Sequence, residues 1–395
     1  MNNIKEALKY AKENTIFYKN IDIDNIINNS ILTKKTYIEN SYPYSNNMLT
    51  NLNEAKYVFS TSGTTSKPQY IIRNSKDIDY QINDYIGLDI NKNDVILNLF
   101  WGGIWGVYTT NNLVLSKTEA TIIPYGGNNI KDLNQLDIII KDLNVNALFG
   151  VPSTILHIAQ YYEDKKEIPD IRKVFCLGEK MDEITYNYIR SIFKNVIIKT
   201  KYGCMESAGI GYQCKNINKN QYHIFENRYV EIIDKETNKE CNEKEIGKII
   251  VTTLDKRLVP LVRYDTGDIG YIEKTKCECG CNEILTILSR DNDEFIVASV
   301  HLSKNNIKKI IENNSTQYKS HNIVVSKKNN MDHIEINIYA KDFNKKKILE
   351  QLYNENPDLY DIIKDKKINE IDIILKNNYN INITSGKIKN FLDRR

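Results

Sequence analysis

The segment 58–68 constrains this chain most, because it concentrates hydroxyl side chains, one glycine and one lysine in a short turn. It reads Val-Phe-Ser-Thr-Ser-Gly-Thr-Thr-Ser-Lys-Pro, and its polar part comes straight after a short apolar run, Tyr57 to Phe59. Backbone N–H groups, hydroxyls and an ammonium in one turn can all bind the same anion, such as a polyphosphate. The segment therefore predicts chemistry on a nucleotide. Its spacing is not that of a Walker A loop, and a Ser/Thr-rich turn between two strands is the alternative interpretation.

Further short motifs follow in order along the chain. They are Leu177-Gly178-Glu179, Tyr202-Gly203-Cys204-Met205-Glu206, Arg263-Tyr264-Asp265-Thr266-Gly267-Asp268, Arg290-Asp291-Asn292-Asp293 and Ser385-Gly386-Lys387. Together with Ser62 to Pro68, this series resembles the acyl-adenylate-forming (AMP-binding) enzymes, which include acyl-CoA synthetases and peptide-synthetase adenylation domains. The branch it most resembles is the phenylacetate–CoA ligase-like group, through Ile123 to Asn128, Phe149 to Ser153 and the pair Cys214 and His223.

The resemblance implies an ATP-dependent reaction that forms an acyl-adenylate and then transfers the acyl group to CoA or to the pantetheine thiol of an acyl-carrier protein. Such a reaction depends mostly on positioning and on neutralising charge at the triphosphate. The resemblance assigns catalysis to Lys387 and to Glu206, which would also help to hold Mg²⁺. It assigns the phosphates to Thr61, Ser62, Gly63, Thr64, Thr65 and Lys67, and the adenine and ribose to Gly178, Glu179, Tyr202, Gly203, Asp268 and Arg290.

Three cysteines in a glycine turn predict a metal site. Cys277, Cys279 and Cys281 alternate with single residues, and Cys214 and His223 lie upstream, so a tetrahedral Zn²⁺ set is available. The resemblance supports a structural zinc held by Cys214, His223, Cys277 and Cys279, with Cys281 as a possible replacement. The alternative is a hairpin with three surface thiols and a core histidine.

Both tryptophans of the chain stand beside glycines, in Phe-Trp-Gly-Gly-Ile-Trp-Gly at 100–106. Indole rings form flat apolar walls, and glycine allows a ligand to approach the backbone. In the ligase-like group the matching segment lines the acyl pocket, so Trp101, Gly103 and Trp105 are expected to bind an aromatic or medium-sized apolar acid. Placement of the indoles in the core is the alternative.

Alternation of strands with helices predicts the α/β class, with mostly parallel sheets in a large N-terminal domain over 1–289. Predicted buried strands include Val95 to Leu99, Ala147 to Phe149 and Lys173 to Leu177, with helical spacing between several of them. Beyond Arg290 the pattern changes to a small α+β domain over 290–395. Strands are predicted at Ile334 to Tyr339 and Glu370 to Leu375, and a helix at Asn344 to Tyr353. The resemblance implies that this domain moves and carries the catalytic lysine, whereas the first domain binds ATP and the acid.

Composition limits the partners. The net charge is +3, from 54 lysines and arginines against 51 aspartates and glutamates, so no electrostatic case exists for nucleic acid or an anionic membrane. No apolar run approaches the length that a bilayer requires. Seven cysteines in a chain of 395 residues fit a reducing compartment, and a cytoplasmic location is expected.

Several residues depart from the family pattern. Met205 stands at the usual threonine position, Ser66 replaces a common glycine, and Ser299 falls where the ligases have a glycine beside the thiol tunnel. Because of Ser299, an enzyme that transfers the acyl group to an amine is an alternative interpretation. Met205 and Ser66 leave open a degenerate member that binds nucleotide without turnover.

Overall fold

A computed structural model describes residues 2–60, 69–127, 132–181, 183–291, 294–298, 300–328, 331–376 and 390–395. Two compact units divide the described residues, one ending at Leu288 and the other beginning at Ser289. The assignment of nucleotide binding to the first unit and of a moving catalytic role to the second stays a prediction.

The first unit is built mainly on a large sheet with flanking helices. Its helices are α1 (Asn2–Asn14), α2 (Lys34–Asn40), α3 (Ser75–Tyr80), α4 (Gly106–Leu115), α5 (Leu133–Asp142), α6 (Pro152–Tyr161) and α7 (Glu183–Ile192), with 3₁₀ turns at Ile26–Asn28, Leu52–Glu54 and Asn83–Leu88. Its strands are β1 (Tyr57–Ser60), β2 (Tyr70–Arg73), β3 (Val95–Asn98), β4 (Thr121–Ile123), β5 (Ala147–Gly150), β6 (Lys173–Leu177), β7 (Ile197–Cys204), β8 (Ala208–Tyr212), β9 (Gln221–Ile224), β10 (Arg228–Ile233), β11 (Gly247–Thr253), β12 (Tyr264–Lys274) and β13 (Glu283–Arg290), the last of which crosses the division.

The large sheet has a parallel half and an antiparallel half. Its 11 strands run in the order β10-β11-β12-β13-β9-β8-β7-β6-β5-β3-β4. Strands β4, β3, β5, β6 and β7 are parallel neighbours, which confirms the strands predicted at Val95 to Leu99, Ala147 to Phe149 and Lys173 to Leu177. Helices α5 and α6 cover the predicted helical spacers and bury one apolar face each, at Leu136 and Ile140 in α5. The α/β class is therefore confirmed.

The antiparallel half was not predicted as such. Strand β8 reverses against β7, and β9, β10, β11 and β12 continue with antiparallel pairings. These strands lack the continuous apolar runs of the parallel half. Several of their buried positions hold charged or polar side chains, such as Glu231, Thr252 and Asp268.

The second unit has the predicted α+β composition. It contains β14 (Glu294–Val297), β15 (Val300–Ser303), α8 (Lys304–Asn313), β16 (Ser315–Thr316), β17 (Ser320–Lys328), β18 (Met331–Tyr339), β19 (Asp342–Phe343), α9 (Lys345–Glu355), α10 (Pro357–Lys364), β20 (Asp372–Leu375) and β21 (Phe391–Asp393). Its main sheet has the order β20-β18-β17-β21. The strands predicted at Ile334 to Tyr339 and Glu370 to Leu375, and the helix predicted at Asn344 to Tyr353, correspond to β18, β20 and α9. Within the described ranges, no helix is both long and apolar enough to span a bilayer.

A buried ion network fixes the turn that follows β7. The Arg73 guanidinium donates to the carbonyls of Met205 at 2.6 Å and Glu206 at 2.7 Å. The carbonyl of Ser207 accepts from Arg257 at 2.6 Å and from Arg228 at 3.0 Å. Three guanidinium groups from separate segments thus bind three consecutive carbonyl groups. Charge-assisted hydrogen bonds of this kind are stronger than neutral ones, so the turn is held firmly.

Asp255 neutralises two of these arginines. Its carboxylate pairs with Arg228 at 3.2 Å and with Arg257 through both oxygens, and both guanidinium groups are fully buried. Burial alone would raise the pKa of the Asp255 carboxyl, but the charges of Arg257 and Arg228 lower it to about 2. The folded protein therefore binds a proton at Asp255 less readily than the unfolded chain does.

We expect this network to make the first unit sensitive to acid. Because the pKa of Asp255 is lower in the folded state, its contribution of about 2 kcal/mol is present above pH 4 and is lost as the pH falls towards 2. Asp255→Asn should lose roughly 3–5 kcal/mol at pH 7, because two buried guanidinium groups lose their partner. Its stability should then fall less steeply than that of the wild type below pH 4. Urea unfolding between pH 7 and 2 measures both effects.

Asp164→Asn is the control, because Asp164 is exposed. It should keep the stability and the pH dependence of the wild type. Parallel pH profiles for Asp255→Asn and the wild type between pH 4 and 2 would contradict the assignment.

Candidate active site

The strand β1 leads directly into the predicted phosphate loop. The N–H of Ser60, its last residue, donates to the carbonyl of Ile104 at 2.9 Å. This bond joins the start of the loop to the tryptophan segment 100–106. The predicted phosphate-binding residues Thr61, Ser62, Gly63, Thr64, Thr65 and Lys67 lie outside the described residues, as do Ser66, Asn292, Ser299 and the predicted catalytic Lys387.

Two of the predicted motifs contact each other reciprocally. The Tyr202 hydroxyl donates to Asp268 Oδ2 at 2.8 Å, and the Tyr264 hydroxyl donates to Glu206 Oε1 at 2.7 Å. Each motif therefore supplies a tyrosine to the acid of the other motif. We call these four residues the tyrosine–acid pairs. They bring the residue expected to bind ribose and the residue expected to bind Mg²⁺ onto one framework.

The tyrosine–acid pairs require the sheet to curl. Strands β8, β9 and β13 lie between β7 and β12 in the sheet order. Four strand spacings in a flat sheet would separate β7 from β12 by about 19 Å. Hydrogen bonds below 3 Å between Tyr202 and Asp268, and between Tyr264 and Glu206, are possible only because the antiparallel half bends over itself.

The environment keeps both tyrosines neutral. Burial, followed by the charge of Asp268, raises the pKa of Tyr202 well above its usual value. The pKa of Tyr264 is also raised, mainly by burial and next by the charge of Glu206. Neutral phenols can donate to a carboxylate, so each acid keeps its partner throughout the physiological pH range. Thr266 also faces Tyr202, with 3.3 Å between the two hydroxyl oxygens.

Gly203 is required by close packing. A Cβ atom at this position would lie 2.3 Å from the carbonyl oxygen of Ala208. The strands β7 and β8 also change register between Tyr202 and Gly203. The glycine thus allows the tight reversal that places Tyr202 and Glu206 on either side of it.

The remaining predicted nucleotide residues lie at strand ends. Gly178 and Glu179 directly follow β6, and Glu179 accepts from the N–H of Ser153 at 3.0 Å. Residues that follow parallel strands are where ligands bind in sheets of this type. Arg290 is the last residue of β13 and is exposed.

The tryptophan segment packs beside the Glu206 turn. Gly106 begins α4, and a Cβ atom there would lie 2.5 Å from the Phe59 ring and 3.0 Å from the Met205 methyl group. Met205, the residue that departs from the family pattern, therefore makes an apolar contact next to this segment. Trp101 and Trp105 are both partly exposed, so the structure does not bury them fully in the core. The predicted Gly103 has φ of +94° and lies against the Trp105 ring.

Four of the predicted metal ligands converge between two hairpins. The thiols of Cys214, Cys277 and Cys279 and the His223 imidazole have ligand atoms within 4.8 Å of one another. Nε2 of His223 is 3.3 Å from Cys214 Sγ and 3.2 Å from Cys279 Sγ. His223 Nδ1 lies 3.0 Å from the carbonyl of Glu283, which can accept its proton and leave Nε2 free to bind a metal. Burial raises the pKa of Cys214 to about 11.

Cys281, the fifth candidate metal ligand, contacts a different residue. Cys281 Sγ lies 3.4 Å from the hydroxyl of Tyr212 and is not a member of the four-residue group. Gly280, with φ of +97°, turns the chain between Cys279 and Cys281. Among the described residues, the geometry thus distinguishes Cys277 and Cys279 from Cys281.

Sequence reasoning missed the residues that support Glu206. Gln69 Nε2 donates to Glu206 Oε1 at 2.5 Å, and Arg73, Arg228 and Arg257 bind the carbonyls of the Glu206 turn. No motif marks them, although an arginine within the apolar sequence of β2 was a detectable signal. An arginine among buried apolar residues needs a partner and therefore predicts a buried ion or carbonyl contact.

Known proteins resemble this chain in both sequence and structure. A phenylacetate-coenzyme A ligase from Thermus thermophilus is 22% identical over 318 residues, which cover 78% of this chain and 70% of that protein. An indoleacetate–lysine synthetase from Pseudomonas savastanoi is 27% identical over 158 residues, covering 40% of this chain and 36% of that protein. The relative from Thermus thermophilus agrees with the predicted resemblance to the phenylacetate–CoA ligase-like group.

Solved structures show the same fold. A crystal structure of 2-hydroxyisobutyryl-CoA ligase in the postadenylation state superposes with a TM-score of 0.72 at 15% identity, over 100% of this chain and 88% of that chain. The family model described as AMP-binding enzyme matches residues 7–254, well over half of the sequence. The chain therefore belongs to the AMP-binding enzyme family.

Proposed function

We propose that this protein is an AMP-forming carboxylate ligase that makes an acyl-adenylate from ATP and an acid and then transfers the acyl group to the thiol of CoA. The observation that carries the proposal is the set of tyrosine–acid pairs. They join Asp268, which is proposed to bind the ribose, and Glu206, which is proposed to bind Mg²⁺, on the two segments that resemble the family's nucleotide motifs. The relative from Thermus thermophilus, named as a CoA ligase, supports the choice of acceptor.

In the first step a carboxylate oxygen of the acid attacks the α-phosphorus of ATP. The bond from the α-phosphorus to the bridging oxygen breaks, and pyrophosphate leaves with the electron pair. Asp268 would accept hydrogen bonds from the ribose hydroxyls while Tyr202 holds it in place. Lys387 would stabilise the charge between the acid and the α-phosphate, as a compact ammonium does well. In the second step the thiolate attacks the acyl carbon and AMP leaves.

Glu206 fits the role of a magnesium ligand. Mg²⁺ prefers oxygen ligands and would offset the charge that builds on the triphosphate. Glu206 is 6% exposed, and Gln69 beside it has a buried side-chain oxygen without a hydrogen-bond partner among the described residues. Oxygen atoms of this kind suit a hard cation.

The acid is proposed to be aromatic or of medium size and apolar. Trp101, Gly103 and Trp105 offer indole and backbone surface in the segment whose Gly106 lies against Phe59 and Met205 and whose Ile104 is bonded to Ser60. Apolar walls with few polar groups favour such an acid. The proximity of this segment to the Glu206 turn would place the substrate carboxylate near the nucleotide.

An amine acceptor is the second candidate. The indoleacetate–lysine synthetase relative, which is similar over 40% of this chain, is the observation that favours it. An amine would attack the same acyl-adenylate and form an amide, so the first half-reaction is common to both candidates. The acceptor-dependent step separates them.

The first experiment is acid-dependent exchange of pyrophosphate into ATP, followed by pyrophosphate release with CoA, with lysine or with neither. We expect exchange with an aryl or medium alkyl acid and further stimulation by CoA. Lys387→Ala should reduce exchange by roughly 10²–10³-fold while ATP still binds, because the charge is needed mainly in the transition state. Isothermal calorimetry measures ATP binding separately.

The control is Lys346→Ala, which removes an exposed lysine of α9. It should exchange at the wild-type rate. Stimulation by lysine in place of CoA would favour the amide ligase. ATP binding without exchange for any acid would favour a degenerate nucleotide-binding member, and an absence of ATP binding would contradict the proposal altogether.

We further propose that Cys214, His223, Cys277 and Cys279 hold a structural Zn²⁺. Tetrahedral coordination with usual Zn–S and Zn–N lengths separates neighbouring ligand atoms by about 3.5–3.8 Å. The distances of 3.2 Å and 3.3 Å to His223, and of 3.6 Å between Cys214 and Cys277, are close to that value. Four protein ligands leave no open position for a substrate, which favours a structural metal over a catalytic one.

Metal analysis of protein purified without a polyhistidine tag should find about one zinc per chain. Cys277→Ser should lower the zinc content and the melting temperature, because the metal joins the β8–β9 and β12–β13 hairpins and binding contributes folding energy. Cys281→Ser is the matched control and should retain the metal. A wild-type protein without zinc, or equal losses in the two variants, would rule this assignment out.

A further inference from the structure

The carboxylate of Glu206 has two donors that use the same oxygen. Gln69 Nε2 lies 2.5 Å and the Tyr264 hydroxyl 2.7 Å from Glu206 Oε1. The second carboxylate oxygen, Oε2, takes part in neither of these two contacts. The backbone of the same residue is held by Arg73, so both the position and the orientation of the carboxylate are restricted.

Gln69 is also the residue that follows the phosphate loop. It is 2% exposed and stands immediately before β2, which carries Arg73. The loop and the Glu206 turn are therefore joined through one short segment, residues 69–73. A change in the loop can reach the carboxylate through a single hydrogen bond from Gln69.

Among the described residues, the carboxamide of Gln69 makes a hydrogen bond through its NH₂ group and none through its oxygen. A carboxylate accepts but cannot donate, so the NH₂ group must face Glu206 and the amide oxygen must point elsewhere. That oxygen, Oε1, is buried and has no hydrogen-bond partner within the described part of the chain. A buried unpaired acceptor is destabilising, so an additional ligand at this position would offset that cost.

A divalent cation fits this oxygen better than an anion does. The triphosphate has only acceptor oxygens, which would repel both the amide oxygen and the Glu206 carboxylate. A hydrated Mg²⁺ can accept an oxygen ligand directly or donate through a bound water, and it combines few protein ligands with substrate phosphates. The charge of Glu206 attracts the cation to the same place.

We infer that Gln69 is a second cation-binding residue, whose Nε2 holds Glu206 and whose Oε1 binds the hydrated divalent cation that accompanies the nucleotide. The inference rests on the proposed nucleotide chemistry and extends it to a residue outside the family motifs. It makes the first residue after the phosphate loop part of the metal site. The cation then links Gln69, the nucleotide and the Glu206 turn.

Binding of Mn²⁺ in place of Mg²⁺ tests the inference without turnover. Electron paramagnetic resonance counts free Mn²⁺ during a titration of the full chain with the non-hydrolysable ATP analogue AMPPNP. Gln69→Met removes both amide atoms at nearly constant length and should weaken Mn²⁺ binding by about tenfold. The matched control is Gln81→Met, since Gln81 is 6% exposed and donates to the carbonyl of Asp77 at 3.2 Å. It should bind Mn²⁺ as the wild type does.

Gln69→Glu separates the two roles of the side chain and serves if Gln69→Met does not fold. It keeps an oxygen but replaces the donor with a second negative charge beside Glu206. Mn²⁺ with AMPPNP should therefore raise its melting temperature by more than it raises that of the wild type. Wild-type Mn²⁺ affinity in Gln69→Met, or a wild-type thermal shift in Gln69→Glu, overturns the inference.

The wild-type protein distinguishes this inference from the proposed function. If it binds Mn²⁺ with AMPPNP and Gln69→Met weakens that binding, the inference stands even when no acid supports pyrophosphate exchange. If the wild type exchanges pyrophosphate but both Gln69 variants bind Mn²⁺ unchanged, the proposed function stands and the inference fails. Absence of Mn²⁺ binding by the wild-type complex overturns the inference directly.

Discussion

The tyrosine–acid pairs are the constraint on which the candidate site depends. Tyr202 and Glu206 belong to one segment, Tyr264 and Asp268 to another, and each tyrosine donates to the acid of the other segment. Two short hydrogen bonds across four strand spacings hold the antiparallel half of the sheet in a curled form. A curled sheet places two carboxylates with different proposed partners, a ribose and a divalent cation, on one framework.

Burying a carboxylate is costly, and the structure offsets this cost at Glu206 by surrounding its turn with donors. The side chain accepts from Gln69 and Tyr264, while three arginines bind the carbonyls of residues 205–207. Asp255 in turn balances two of the arginines. Removing one member leaves an unpaired buried charge, which is far more destabilising than the pairing itself is stabilising. The rigidity of the turn therefore comes from a network and not from a single bond.

The apolar patterns predicted the parallel half of the large sheet well, because a strand buried on both faces needs a continuous apolar run such as Val174 to Leu177. They predicted the elements of the second unit for a similar reason, through alternation in β18 and helical spacing in α9. The antiparallel half was missed, because its strands bury Glu231, Arg228 and Asp268 together with apolar residues. Their charges are compensated by partners distant in sequence, and a local pattern contains no record of those partners.

The sequence by itself determined the family, the α/β class and which residue types stand at the nucleotide motifs, since these depend on local spacing and on side-chain chemistry. It also predicted Cys214, His223, Cys277 and Cys279 as candidate metal ligands but left Cys281 as an alternative. Only the tertiary structure decided which thiols face His223, that Tyr264 and Gln69 share one oxygen of Glu206, and that Arg73, Arg228 and Arg257 meet at one turn. These contacts join residues that lie between 9 and 137 positions apart in the sequence, on separate strands and turns, so tertiary packing brings them together.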